Sequence, residues 1–306
     1  MTQEQYFKNL CVPTQKIDVV LDTDAYNEID DQFAIAYLLR ASEKLCIRGI
    51  CAAPFHNSKS SSPQDGMEKS YAEICKLLKL AEREDLLPLV FRGSESWLPN
   101  ETEAVPSEAA DYIAALADHY SPEHPLYIVA IGAITNVAAA ILHNPAVCEN
   151  CVVVWLGGHA AHLPRAASEF NMMQDIAAAR VVLGCAVPLV LLPCDGVVDR
   201  FAVSRYELAH WLGGKNALCD YLCENTIREA ESYAAGKPWT RVIWDVTAVA
   251  WLLNEEGAFL SDQLTPSPIP EYDLQYASDP TRPLIRTVCR VHRDALFEDL
   301  IRRLTR

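Results

Sequence analysis

The chain has 306 residues, half of them hydrophobic, and a formal net charge of −15. That acid excess argues against a nucleic-acid partner, because counterion-release binding needs clustered Lys and Arg, and only RDALFEDLIRRLTR at 293–306 reads as basic. No apolar run approaches the roughly 18 residues of a membrane helix and the start MTQEQYFKNL lacks an apolar signal core, so a soluble, cytoplasmic protein with no membrane partner is expected.

In chain order, IDVVLDT (17–23) reads as a strand and DDQFAIAYLLRAS (30–42) as the helix after it. LCIRGICAA (45–53), LPLVFRG (87–93), PLYIVAI (125–131), CVVVWLGG (151–158) and VPLVLLPCD (187–195) continue the apolar strands. Between them, GMEKSYAEICKLLKLA (66–81), SEAADYIAALADHY (107–120), ITNVAAAILH (134–143) and QDIAAARVVLG (174–184) have helical patterning. Apolar strands alternating with amphipathic helices indicate βαβ units: an α/β fold with a mostly parallel central sheet flanked by helices. Functional groups in such folds lie beyond the C-terminal ends of the strands, where these runs finish in DTD, HNS, GAITN, GGH and CDG. Past residue 200, YELAHWLGGKNALCDYLCENTIREAESYAAG reads as two helices, and KPWTRVIWDVTAVAWLL as a loop entering a third. The segments IPEYDLQYAS and RPLIRTVCRVH read as a strand pair. One domain over 1–306 is expected, with its core at about 17–255 and C-terminal strands and a helix over 256–306.

Eleven cysteines are present, and the spacings Cys148/Cys151 and Cys219/Cys223 could in principle build a zinc site. Their apolar surroundings favour reduced cysteines acting as small core residues. The motifs GxGxxG, GxxxxGK[ST], HExxH and GxSxG are absent, which removes the usual nucleotide-cofactor, zincin and α/β-hydrolase readings.

The stretch DTDAYNEIDD (22–31) holds five carboxylates in ten positions. Capping of the helix by Asp30, helped by the helix dipole, needs only one of them. Close carboxylates repel one another, so the excess points to an oxygen-ligated divalent cation; calcium, which accepts six to eight oxygens, suits such a cluster.

With its surroundings, this stretch resembles the aspartate-rich signature DxDxGxDD of the nucleoside hydrolases, the inosine–uridine-preferring ribohydrolases, with Ala25 and Tyr26 where Pro-Gly or Gly is usual. LCIRGICAAPFHNS, YIVAIGAITNVAAAIL, VVVWLGGH, SEFNMMQDIAAARVVL and VIWDVTAVAWLL are similar, in order, to further segments of that family, over residues 18–253. The resemblance implies calcium-dependent hydrolysis of the N-glycosidic bond of ribonucleosides, giving ribose and free base. It implies calcium ligation by Asp24, Asp31, Asp245 and the backbone carbonyl of Ile131, with Asp24 also the general base. Asp30, Asn57, Glu169 and Asn171 are implied as ribose contacts, with His56 an alternative to Asn57, and Asp22 as a support from behind. Many members place a histidine just before the last calcium aspartate; here it is Trp244, as in the purine-specific branch, where stacking on the base activates it. Trp97, Tyr26, Tyr233 and Trp239 could add a second aromatic face, whereas His56, His159 and His162 read as loop histidines. A second departure is Leu163, which stands where an asparagine is usual, so that a ribose contact is missing or comes from His162. A homodimer or homotetramer is implied as well.

Two other readings compete. A DxD after a strand also looks like the haloacid-dehalogenase phosphatases, with Asp22 as nucleophile, Asp24 as acid/base and CDGVVD (194–199) as the later acidic motif. A non-catalytic nucleoside- or ribose-binding relative would keep the metal site and lose turnover, and Trp244 is its main support.

Overall fold

The computed structural model describes residues 1–306. Its strands are β1 (Ile17–Thr23), β2 (Leu45–Ala52), β3 (Val90–Arg92), β4 (Leu126–Ala130), β5 (Cys151–Leu156), β6 (Leu189–Leu192), β7 (Ala202–Ser204), β8 (Thr240–Val242), β9 (Leu260–Pro266), β10 (Ile269–Pro270), β11 (Tyr276–Ala277) and β12 (Leu284–Val291). Eight of them form one sheet in the order β3-β2-β1-β4-β5-β6-β12-β9. All its pairings are parallel except β12 with β9.

Both faces of this sheet are covered, which is why the strands read as unbroken apolar runs. Alternate side chains serve different cores. Val19 and Leu21 of β1, Tyr127 and Val129 of β4, and Val152 and Val154 of β5 join one cluster. Val20, Ile128, Val153 and Trp155 join the other. That period of two is the strand pleat expressed as packing. The first core is covered by the helices Asp30–Leu39, Pro63–Leu80, Val246–Leu252 and Arg293–Leu304, and the second by Glu108–Ala117, Thr135–His143 and Ile176–Gly184. Every residue of Asp30–Leu39 is buried, because this helix is itself packed over by Val246–Leu252 and Arg293–Leu304. The basic-looking tail is therefore an amphipathic helix that buries Leu296, Phe297, Leu300 and Leu304, and its Arg303 pairs with Asp299 and Glu43. No helix is long and apolar enough to cross a membrane.

The structure corrects the expected C-terminal strand pair. RPLIRTVCRVH does form a strand, β12, but its neighbours are β6 and β9. IPEYDLQYAS folds back on itself as the small β10–β11 pair. The true partner of β12 is LSDQLTP, an edge strand with mostly part-exposed residues and therefore little apolar signal. The helix cap differs too: Ile29 is the N-cap of Asp30–Leu39 and no side chain caps it, so Asp30 and Asp31 sit within the first turn. The cysteines are all free, and the one cluster of three or more potential metal-ligating side chains is made of aspartates.

Candidate active site

The chain runs outward from β1 to β3 on one side and restarts at β4 on the other, which makes the β1/β4 junction a topological switch point. β1 and β4 stay paired as far as Asp22 and Ala130, and Ile131 N–H donates to the Asp22 carbonyl at 2.9 Å. Asp24 and Ile131 thus emerge side by side at the carboxyl ends of these strands. A cavity of about 190 Å³ opens here, lined by Asp24, Asp30, Asp31 and Asp245 together with Asn27, Glu28, Ile131, Leu156, His159, Glu169, Phe170, Asn171, Cys194, Asp195 and Trp244.

Asp24, Asp30, Asp31 and Asp245 are each at most 4% exposed. One carboxylate oxygen from each of Asp30, Asp31 and Asp245 lies within 4.8 Å of the others. Asp31 is oriented by the Thr23 hydroxyl, which donates to its Oδ1 at 2.5 Å. Asp24 Oδ2 is buried with no hydrogen-bond partner. Its Oδ1 lies where only glycine leaves room, since a Cβ on Gly132 would come within 2.9 Å of it. Burial lifts the Asp31 carboxyl to about 7, against lowering hydrogen bonds from Thr23 and Asp245. Burial, and then repulsion from the neighbouring acids, pushes Asp24, Asp30 and Asp245 well above the carboxylate range.

No Lys or Arg lines the cavity. Partial compensation comes from Arg241 of β8, which pairs with Glu28 at 2.9 Å and Glu229 at 3.3 Å and partly offsets the charge felt by Asp30. Glu28 precedes the helix and is held at the cavity lip by this pair. Buried carboxylates without a counter-charge are costly. An orphaned oxygen, a glycine cradle and an all-oxygen donor set fit a hard divalent cation bound among these aspartates.

Glu169 caps the short helix Phe170–Met173. Its carboxylate accepts from Gly158 and Asn171 N–H at 2.8 Å and from Met172 N–H at 3.0 Å, and burial lifts it to about 7 against those bonds. The Asn171 amide donates to the carbonyls of Ile131 at 3.3 Å and Leu156 at 3.1 Å. Trp244, half-buried, also lines the cavity, directly before Asp245.

Asn57 lies behind the cavity wall. Its amide donates to Asn27 Oδ1 at 2.6 Å and its own oxygen accepts from Lys59 N–H, so Asn27 is the amide that reaches the cavity. His56 and His162 are exposed, and neither they nor Leu163 line the cavity; nor do Trp97, Tyr26, Tyr233 and Trp239. Phe170, inside the Glu-Phe-Asn segment, is the lining aromatic that sequence reasoning passed over. Asp22 is fully buried, with Oδ1 accepting from the Asn136 amide at 2.8 Å and Oδ2 unpartnered. It does not line the cavity, so the reading of Asp22 as a phosphatase nucleophile fails: no substrate reaches it.

The family model for inosine-uridine preferring nucleoside hydrolases matches residues 19–292, and the chain belongs to that family. It is 28% identical over 137 residues to the pyrimidine-specific ribonucleoside hydrolase RihB of Escherichia coli O1:K1 / APEC, a match covering 42% of each chain. The curated relatives it matches are thus spanned over about half their length or less. Among solved structures, it superimposes on a plant nucleoside hydrolase, PpNRh1, with a TM-score of 0.72 at 19% identity, covering 94% of this chain and 99% of that one. A purine-preferring ribonucleoside hydrolase from Gardnerella vaginalis gives a TM-score of 0.72 at 17% identity, covering 94% and 98%. These two likenesses carry the fold.

Proposed function

We propose that this protein hydrolyses the N-glycosidic bond of ribonucleosides to ribose and free base, with calcium as its cofactor and a preference for purines. The observation that carries the reading is the convergence of four buried aspartates, one with an orphaned oxygen, in a cavity at the switch point of a nucleoside-hydrolase fold. Asp24, Asp31, Asp245 and the Ile131 carbonyl would hold the ion. When bound, calcium supplies a Lewis acid that lowers the pKa of water and attracts vicinal hydroxyls.

The remaining work falls to the protein. Asp24 accepts the proton of the attacking water as general base, burial and the neighbouring acids raising its proton affinity. The buried carboxylates stabilise the positive charge that develops on the ribosyl ring as the base departs. Asp30, Glu169 and Asn171 grip ribose hydroxyls, which penalises a deoxy-sugar because buried polar groups are then left unpaired. Asn57 acts through Asn27. Trp244 offers a flat face to the base, a contact of the kind worth about 1–3 kcal/mol per stacked base. By their names the relatives divide between pyrimidine and purine substrates, so substrate preference is the point to measure.

The deciding assay incubates the protein with inosine, adenosine, guanosine, uridine and cytidine, with calcium or with a chelator, and measures reducing sugar. Release from a purine nucleoside that stops on chelation is expected. No release from any of the five defeats the reading. Assembly as a homodimer or homotetramer is proposed with it, and light scattering in solution tests that.

A further inference from the structure

Among the lining side chains, His159 alone carries a basic nitrogen. The segments on either side of it are zipped to the end of β6. Cys194 N–H donates to the Gly158 carbonyl at 2.8 Å, Ala160 N–H to the Asp195 carbonyl at 3.0 Å, and His159 N–H to the Ala166 carbonyl at 2.7 Å. Gly158, at φ +71°, makes the turn, and a Cβ there would lie 1.9 Å from the Tyr276 hydroxyl. The ring is fixed in turn: Nδ1 accepts the Asp195 N–H at 3.2 Å, with Asp195 Oδ2 farther away at 3.5 Å. The shorter contact sets the tautomer, because a nitrogen that accepts carries no proton, and leaves the N–H on Nε2. Nε2 makes no hydrogen bond within the protein and is not sealed from solvent.

Burial orders the cavity from floor to lip. The aspartates at the floor are at most 4% exposed, whereas the side chains of His159 and Asp195 are 19% and 56% exposed. A ribose seated on the acidic floor extends its base towards the lip, past Trp244, Phe170 and His159. Resting on the ribohydrolase reading, we infer that His159 donates a hydrogen bond from Nε2 to the departing base. As the glycosidic bond breaks, its electron pair passes to the base, and a pre-aimed donor stabilises that growing negative charge. Asp195 is a positioning residue, holding Nδ1 through its backbone N–H.

The test compares His159→Ala and His159→Gln with the unaltered protein on two substrates: the nucleoside it cleaves best, and p-nitrophenyl β-D-ribofuranoside, whose nitrophenolate leaves without help. With the nucleoside, His159→Ala should lower kcat by about 10- to 100-fold, the range of a lost hydrogen bond to a charged group. With the nitrophenyl riboside the drop should stay below about threefold, which also shows that the variant folds. His159→Gln, whose amide N–H can stand in for Nε2, should recover part of the nucleoside rate. Equal loss on both substrates, or no loss on either, overturns the inference and leaves the ribohydrolase reading standing. If the unaltered protein releases ribose from neither substrate, the ribohydrolase reading falls and the inference falls with it.

Discussion

Asp22 is a carboxylate with no evident solvent and half a hydrogen-bond complement, and it makes a quantitative prediction. Burial raises its pKa from 3.8 to about 7, the Asn136 amide being the only force against the shift. The folded protein therefore keeps a proton there that the unfolded chain loses above pH 3.8. With the folded state binding more protons, stability falls as pH rises, until the group ionises in both states. The span of about three pKa units at 1.36 kcal/mol each gives a loss of about 4 kcal/mol between pH 4 and pH 8, an order-of-magnitude figure. Asp22→Asn removes the titration, keeps an oxygen for the Asn136 amide and puts an amide nitrogen where Oδ2 has no partner. Urea unfolding of both proteins in a chelator, at pH 4, 6 and 8, should show the variant gaining on the parent as pH rises, with the m-value unchanged. A stability difference that does not vary with pH refutes the reasoning, and a variant that loses ground as pH rises means that Asp22 is stabilised as an anion.

Asp24→Ala should lower kcat by at least about 100-fold, a general base being worth about 10²–10⁴, with the far-ultraviolet dichroism unchanged; near-normal turnover dismisses Asp24 as the base. Calcium at 100 times its Kd should stabilise the fold by about 2.7 kcal/mol, read as a rise in melting temperature that Asp245→Ala abolishes. Because burial raises the proton affinity of the acids at the floor, that of Asp31 to about 7, calcium should compete with protons there, binding more tightly at pH 8 than at pH 6 and releasing protons on binding. Calorimetry in two buffers of different ionisation enthalpy checks this, and affinity that does not change with pH contradicts it. Trp244→Ala should cost about 1–3 kcal/mol of transition-state binding with purine nucleosides and less with pyrimidines; equal losses in kcat/KM argue against stacking.

The parallel sheet was legible because its strands are apolar on both faces, a pattern that depends on local sequence alone. The choice of partners at the C-terminal side was not. β9 is polar and carries Pro266, tolerable on an edge, and nothing local shows that β12 inserts between it and β6. At the site, the aspartates were visible as an excess of charge that capping could not use, and Asp245 through the segment around it. Asn27 was hidden inside the acidic run, where its amide could not be told from a turn-forming side chain. Asn57 stood in the expected place at a strand end, but its hydrogen bonds point it at Asn27. His159 could not be separated from His162 by sequence, since only the backbone pairing with Cys194 and Asp195 turns one of them to the cavity.

The insertion of β12 also bears on biosynthesis. β6 ends at Leu192, yet the strand that covers its outer side begins at Leu284. Until that late segment arrives, a growing chain presents β6 as an open edge, with unpaired N–H and C=O groups able to recruit a foreign strand. A frameshift or cleavage before residue 284 would leave the aspartates in place and expose that edge, so that aggregation, rather than a weakened catalyst, is its expected fate.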